Sequence, residues 1–123
     1  HVAKIARLRF PDSAVPDSLR ENFSRMSEVC VAMIQLANQS LKDRDAVAAL
    51  RMAEIDHEMD HLRRDHFGVL LGKNWSGSVE QAIDVALLGR YFERFADHAV
   101  AVARRVIYII TGQFPEGEEW PNA

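Results

Sequence analysis

The chain has 123 residues, of which 48% are hydrophobic and 27% charged, and its formal net charge at pH 7 is −3. A chain of this length forms one ordinary domain that needs no disulfide or metal to fold. Its composition excludes a disordered or fibrous protein, and the scattering of basic residues among acids argues against nucleic-acid binding. Arg104 and Arg105 interrupt the longest apolar stretch, so no membrane insertion is predicted.

Cys30 is the only cysteine and lies in an apolar run over residues 29–34. This setting predicts a buried, unreactive thiol. A single cysteine provides no disulfide framework and fits a reducing compartment, so we expect a cytoplasmic protein.

The first ten residues resemble a later part of the chain. Residues 1–7 and 98–104 share three identical positions, and each segment leads into a Phe-Pro pair. An echo of this kind indicates an internal repeat, with residues 1–10 as the end of the last helix of a preceding repeat. Chance similarity between two short Ala- and Val-rich segments is the alternative.

Three long helices are predicted between Pro16 and Pro115, because this region contains no proline and its hydrophobic residues recur at three- and four-residue steps. The first helix runs from after Ser18 to about Leu41. The second follows a cap at Asp43 or Asp45 and runs to Leu71. The third follows a cap at Ser76 or Ser78 and runs to Thr111, and Gly112 ends it. The fold class is therefore all-α, with an antiparallel three-helix bundle over residues 17–113. Residues 114–123 are predicted to form a flexible acidic tail.

Each predicted helix has an apolar stripe that is expected to face the core. The stripes consist of Leu19, Phe23, Met26, Cys30, Met33, Ile34 and Ala37; of Ala48, Met52, Ile55, Met59, Leu62 and Val69; and of Leu88, Phe92, Phe95, Ala99, Ala103 and Val106. His66 falls on the second stripe, which favours a packed histidine over a ligand. Trp75, in the turn before the third helix, is expected to pack over an end of the bundle.

Two acidic pairs are the candidate metal ligands. Asp56 and Asp60 lie on the second helix, and Glu93 and Asp97 lie on the third. A spacing of four residues turns a helix by about 40°, so each pair presents two carboxylates on one face. Oxygen-rich clusters suit hard or borderline divalent metals.

A solvated face with local ion pairs is the alternative for these acids, and spacing alone favours it. Arg63 and Arg64 lie near Asp60 in the sequence. The basic residues near Glu93 and Asp97 are Arg90, Arg94 and Arg104.

The histidines complicate the choice of metal site. The patterns Glu54-x-x-His57 and Glu58-x-x-His61 fit the ligand motif of di-iron carboxylate bundles, but both fall on one helix, whereas such sites take the motif from two helices. A di-iron oxidase is therefore disfavoured. His57 and His61 project away from the apolar stripe and are expected at the surface, where a zinc site at this pair is an alternative.

Other catalytic signatures are absent from the sequence. It contains no phosphate-binding Gly-rich loop, no Gly-x-Ser-x-Gly elbow and no His-Glu-x-x-His motif. We therefore do not expect an enzyme.

Two segments resemble a known family. Residues 88–100, with the run Arg90-Tyr91-Phe92-Glu93-Arg94-Phe95-Ala96-Asp97-His98, are similar to the signature of the third helix in the PhoU family. Residues 56–60, Asp-His-Glu-Met-Asp, resemble the acidic motif of that family's second helix. The resemblance covers residues 17–115.

The resemblance implies a function that spacing alone does not. PhoU proteins are cytoplasmic negative regulators of the phosphate-starvation response, and they link the phosphate ABC transporter, here through its ATPase subunit, to a sensor histidine kinase. They contain two similar three-helix bundles, so this chain would correspond to the C-terminal repeat. Family members bind multinuclear iron or zinc clusters through Glu/Asp-x-x-x-Asp motifs. Carried over, the ligands here would be Asp56, Asp60, Glu93 and Asp97.

Two other classes stay open at this point. One is a metalloenzyme of the carboxylate-bundle type, which the placement of the acids at the edge of the apolar stripes disfavours. The other is a structural scaffold bundle without metal. If the chain is one of two repeats, as the resemblance implies, it exposes the face that packs against the other repeat, so we expect a homodimer.

Overall fold

The computed structural model describes residues 1–115, and every regular element in that range is helical. The order is α1 (Val2–Arg9), a 3₁₀ turn (Asp17–Leu19), α2 (Arg20–Asp43), α3 (Ala46–Leu71) and α4 (Val79–Thr111). The predicted all-α fold class is confirmed. Most of the predicted acidic tail, with Trp120, lies outside the described residues.

The helix ends follow from local chemistry. The Asp45 carboxylate accepts hydrogen bonds from the backbone N–H groups of Val47 and Ala48 at 2.9 and 3.0 Å, so Asp45 is the cap of α3. Ser78 and Gln81 form a reciprocal capping box at the start of α4. Gly112 ends α4 with a φ of 76°, a left-handed conformation that glycine adopts without strain.

The bounds of α2 differ slightly from the prediction. Residues 17–19 form the 3₁₀ turn, so the α-helix starts at Arg20. It continues through Asp43 and ends where Arg44 adopts a φ of 49°. Lys42 and Asp43 therefore extend the last turn of α2 beyond its predicted end at about Leu41.

Helices α2, α3 and α4 each pack against the other two, and α1 packs on α4. Long-range contacts give the directions, because later residues of one helix meet earlier residues of the next. Asn22 and Arg25 of α2 meet Leu62 and Glu58 of α3. Arg63 and His66 of α3 meet Glu93 and Gly89 of α4. The three long helices thus form an antiparallel bundle, as predicted. Whether α1 belongs to a preceding repeat stays a prediction.

Methionines fill the centre of the bundle. Met26, Met33, Met52 and Met59 have no exposed surface, and alanines and valines complete the α4 side. Burial of such side chains stabilises the fold by roughly 1.5–3 kcal/mol each. His66 and Cys30 are also buried, and Trp75 packs against the core, all as predicted.

Three residues of the predicted stripes lie outside the core. Ile34, Val69 and Phe95 are 47%, 40% and 43% exposed. Their positions are at the edges of the stripes, where helical periodicity does not decide between burial and exposure. Within residues 1–115, no helix combines the length and hydropathy needed to cross a membrane.

Candidate metal centre

The antiparallel packing of α3 on α4 brings the two acidic pairs together. Asp56 is half-buried, and its carboxyl group is electrostatically coupled to Asp60 on its own helix and to Asp97 and Glu93 on α4. Asp60 is exposed, whereas Glu93 and Asp97 are half-buried. All four predicted ligands therefore lie in one cluster on the α3–α4 face, which we call the carboxylate cluster.

Burial and mutual repulsion destabilise the ionised form of Asp56. Removal from water raises the pKa of its carboxyl group, and the charges of Asp60, Asp97 and Glu93 raise it further, against a smaller opposing effect of His57, to about 6. The same two causes, burial first and then the charge of Glu93, raise the pKa of Asp97. The cluster therefore concentrates more negative charge than its surroundings neutralise.

The basic residues near the cluster are unevenly distributed. Arg63 Nη1 and Arg90 Nη1 both donate to Oε2 of Glu93, at 3.2 and 2.5 Å, and the Glu93 side chain is only 15% exposed. Asp56 feels the opposing charge of His57, and Asp97 feels those of Arg90 and Arg94, through space.

The alternative of local ion pairs is correct for Glu93, which pairs with Arg90 on its own helix. Arg63 contacts the acid of the opposite helix rather than its sequence neighbour Asp60. Arg90 and Arg94 lower the pKa of Asp97 through space, but each of these effects is smaller than that of burial and than that of Glu93. Sequence proximity did not reveal the contact of Arg63, because it depends on the register between α3 and α4.

The donor set of the carboxylate cluster fits a hard or borderline divalent cation, since it consists of carboxylate oxygens with an excess of negative charge. The side chains do not yet converge: within residues 1–115, no three His, Cys, Asp or Glu side chains are arranged around a common metal position. That these four residues bind metal stays a prediction.

The histidine alternatives receive no support from the arrangement. His57 and His61 are exposed on α3, as predicted. His66 is fully buried, stacked against Phe23 with ring centroids 5.3 Å apart, and its ring lies against Gly89 of α4. The close approach of His66 to Gly89 was not foreseen; its sequence signal is a glycine in the interior of a long helix.

A second buried acid also escaped the sequence analysis. Asp84 on α4 is 4% exposed and accepts hydrogen bonds from Nε and Nη2 of Arg9 on α1. Arg9 Nη1 also lies 3.0 Å from Glu80. This ion pair holds α1 on the bundle. Because Asp84 is paired with Arg9, it is not a candidate metal ligand.

An open groove of about 830 Å³ lies on the other side of α4, between α1, α2 and α4. Phe92, Phe95 and Cys30 contribute to its wall. Burial raises the pKa of the Cys30 thiol to about 11, so it stays protonated at neutral pH and is a poor nucleophile, as the sequence indicated.

Comparison with known proteins identifies the family. Residues 23–106 match the PhoU domain. The phosphate-specific transport system accessory protein PhoU homolog 1 of Mycobacterium leprae (strain TN) is 44% identical over 123 residues, which is 100% of this chain and 55% of that protein. PhoU homolog 2 of Mycobacterium tuberculosis (strain ATCC 25618 / H37Rv) is 46% identical over 115 residues, 94% of this chain and 54% of that protein.

A more distant relative, the PhoU homolog of Zymomonas mobilis subsp. mobilis (strain ATCC 31821 / ZM4 / CP4), is 33% identical over 94 residues, 74% of this chain and 40% of that protein. No solved structure matches the chain significantly. The chain spans about half the length of the mycobacterial relatives. With a three-helix bundle, both acidic motifs in place and the domain match over residues 23–106, the chain belongs to the PhoU family.

Proposed function

We propose that this chain is part of a cytoplasmic regulator of phosphate uptake. It acts as a negative regulator of the phosphate-starvation response by linking the ATPase subunit of a phosphate ABC transporter to a sensor histidine kinase. Support comes from its membership in the PhoU family and from relatives whose names describe accessory proteins of phosphate-specific transport. The proposed output is protein–protein contact, not catalysis.

In this proposal, metal binding at the carboxylate cluster regulates the contact with the partner proteins. We propose that iron or zinc, as a multinuclear cluster, is held by Asp56, Asp60, Glu93 and Asp97. The observation that carries this proposal is the electrostatic coupling of Asp56 to acids on both helices, Asp60 on α3 and Asp97 and Glu93 on α4. A bound cation would neutralise the repulsion between α3 and α4 and hold these helices together.

The regulatory consequence follows from the position of the cluster. It lies on the outer face of the α3–α4 seam, so a change in its charge alters a surface that a partner protein meets. A bound cation would make this face less negative and more rigid. Docking to the transporter subunit or to the kinase would then depend on occupancy.

Two proposals concern assembly. The similarity of residues 1–7 to 98–104 supports α1 as the end of a helix from a preceding repeat. Exposed apolar residues on α2, namely Val31, Ile34 and Leu41 at 57%, 47% and 55% exposure, support a homodimer of the isolated chain.

Elemental analysis of the purified chain tests the metal part of the proposal. We expect stoichiometric iron, zinc or manganese in the wild type and its loss in the Glu93→Ala/Asp97→Ala variant. The matched control is Glu54→Ala/Asp65→Ala, which removes two exposed acids of α3 outside the cluster and should keep the metal. Equal metal content in all three proteins would overturn the assignment of these ligands.

Co-purification with the ATPase subunit and with the kinase cytoplasmic domain tests the adaptor part. We expect the wild-type chain to retain at least one of the two partners, and the Glu93→Ala/Asp97→Ala variant to retain it less well. A wild-type chain that retains neither, under conditions in which a full-length PhoU protein retains both, would contradict the assignment of partner binding to this repeat.

A further inference from the structure

The groove between α1, α2 and α4 differs in charge from the protein as a whole. It has a volume of about 830 Å³, and its basic lining residues are His1, Arg90, Arg94 and His98. Among residues 1–115, no Asp or Glu side chain contributes to its lining. In the whole chain, by contrast, Asp and Glu outnumber Lys and Arg by 18 to 15. The groove is therefore a local basic site on a protein of net negative charge.

Three of these basic residues form one row on α4. Arg90, Arg94 and His98 are spaced by four residues, and each step turns the helix by only about 40°, so they share one face. Arg90 is partly engaged, because its Nη1 donates to Glu93 at 2.5 Å. Arg94 and His98 are exposed. An acidic partner would thus meet basic side chains over about two turns of α4.

An apolar wall accompanies the basic row. Tyr91, Phe92 and Phe95 of α4 line the groove together with Cys30 of α2. Phe95 is 43% exposed. The Cys30 thiol is uncharged at neutral pH, because burial raises its pKa to about 11. A large apolar side chain of a partner would therefore be shielded from water here, next to the basic row.

We propose that this groove is the docking site for an acidic segment of a partner protein, with an apolar anchor against Phe95 and acidic side chains against Arg94 and His98. The inference rests on the proposed function, whose output is protein–protein contact, and adds the contact surface and the chemistry of the partner segment. A short amphipathic helix presents acidic and apolar side chains side by side at the spacing of the α4 row.

A nucleic acid fits the groove less well, although it also combines negative charge with aromatic rings. The net charge of the protein is −3, and Glu93 and Asp97 lie on the same turns of α4 as the basic row. A polyanion longer than the groove would be repelled by these acids. A short acidic segment would meet only the basic row.

The test uses peptides from the two proposed partners, the ATPase subunit of the transporter and the cytoplasmic domain of the kinase. Overlapping peptides of about 15 residues, or roughly four helical turns, are arrayed and probed with the purified chain. We expect the retained peptides to be acidic and to contain a large apolar residue. In fluorescence polarisation, Arg94→Glu should weaken their binding about tenfold or more, because attraction becomes repulsion. Phe95→Ala should weaken it by about tenfold through loss of the apolar contact.

Arg51→Glu and Val79→Ala are the controls. They make comparable changes at exposed positions of α3 and α4 that do not line the groove, and they should bind within about threefold of the wild type. A retained peptide whose acids are replaced by lysine should bind Arg94→Glu more tightly than the wild type. A purely structural role of Arg94 would not produce this reversal.

Retained peptides that are neutral or basic, or equal affinities of the wild type and Arg94→Glu, would overturn the docking site. If Arg94→Glu then still retains the intact partners as the wild type does, the adaptor function stands with another contact surface. A chain that retains neither an intact partner nor any peptide would overturn the adaptor function and the docking site together.

Two further outcomes would assign the groove to another occupant and overturn the proposal. One is Arg94-dependent binding of a single-stranded oligonucleotide with no peptide retained, which would indicate a nucleic acid. The other is conversion of a dimer to a monomer by Phe95→Ala, measured by sedimentation, with peptide affinities unchanged. That result would indicate a second copy of the chain.

Discussion

The imidazole of His66 lies directly against Gly89, at the point where α3 crosses α4. A Cβ atom at position 89 would lie 2.3 Å from Cε1 and 2.4 Å from Nε2 of His66. The histidine is fully buried and stacks on Phe23, with Phe67 on α3 at a centroid distance of 5.0 Å. The ring is fully buried, and a Cβ at position 89 would overlap it unless the ring shifts, which favours glycine here although glycine weakens a helix.

Gly89→Ala should therefore destabilise the protein in spite of the better helix propensity of alanine. We expect a loss of about 1–3 kcal/mol in the free energy of unfolding, measured by urea denaturation, because the added methyl group overpacks the seam. Gly68→Ala on α3 is the control, since nothing lies within 4 Å of a Cβ at that position. That substitution should stabilise the protein by up to about 1 kcal/mol.

A double-mutant cycle identifies the cause of the Gly89→Ala effect. In a His66→Ala background the added methyl group has room, so Gly89→Ala should cost much less there than in the wild type. Equal costs in the two backgrounds would show that another neighbour of residue 89, and not His66, limits the space.

The burial of His66 should also lower the free energy of unfolding in acid. Neither ring nitrogen makes a hydrogen bond. Burial lowers the pKa of His66, the charge of Arg63 lowers it further, and the Leu62 carbonyl and Asp65 oppose the shift. The Leu62 carbonyl does not meet the geometry of a hydrogen bond to the ring and instead accepts one from Asn22 at 2.9 Å. A folded-state pKa below the unfolded value means that the contribution of His66 is fully present above the unfolded pKa, about 6.5, and is lost as the pH falls.

The measurement is the unfolding free energy of wild type and His66→Leu between pH 7.5 and 5. The variant should lose less stability over this range, by at most about 1.4 kcal/mol per pH unit for one proton. His61→Gln, at an exposed position of the same helix, should keep the wild-type pH dependence. A His66→Leu profile parallel to that of the wild type would contradict the assignment.

The sequence predicted the bundle well because its signals are local. Asp45 and Ser78 could be recognised as caps from the residues that follow them, and the stripes of α3 and α4 set which faces pack. The individual contacts between helices could not be predicted from the sequence in the same way. The reach of Arg63 to Glu93, the fit of His66 to Gly89 and the pairing of Arg9 with Asp84 depend on the rotation and register of two helices, which an apolar stripe fixes only to within a turn.

Asp56 should make protein stability depend on pH in the opposite direction from His66. Its folded-state pKa of about 6 lies above the unfolded value, so the folded state binds the proton more tightly, and this contribution to stability is lost as the pH rises through 6. Asp56→Asn should therefore stabilise the cation-free protein at pH 7.5 by about 1–2 kcal/mol once solvent screening is allowed for, and the gain should vanish near pH 4. Asp60→Asn should give a smaller gain, because Asp60 is exposed. Thermal melts in the presence of a chelator check both; a gain that persists unchanged to pH 4 would point to packing and not to charge.

The attachment of α1 depends on the pair between Arg9 and Asp84. Asp84 is 4% exposed, so removal of the arginine leaves a carboxylate without a counter-charge beneath α1. Arg9→Met should therefore speed amide hydrogen exchange in residues 2–9 while exchange in the centres of α2 and α3 stays slow, because α1 packs on α4. Arg25→Met is the control: it breaks an ion pair with Glu58 in which the two side chains are 50% and 41% exposed, and pairs of this kind contribute little. If α1 exchanges equally slowly in Arg9→Met and in the wild type, the apolar contacts of Val2 and Ile5 hold the helix without the ion pair.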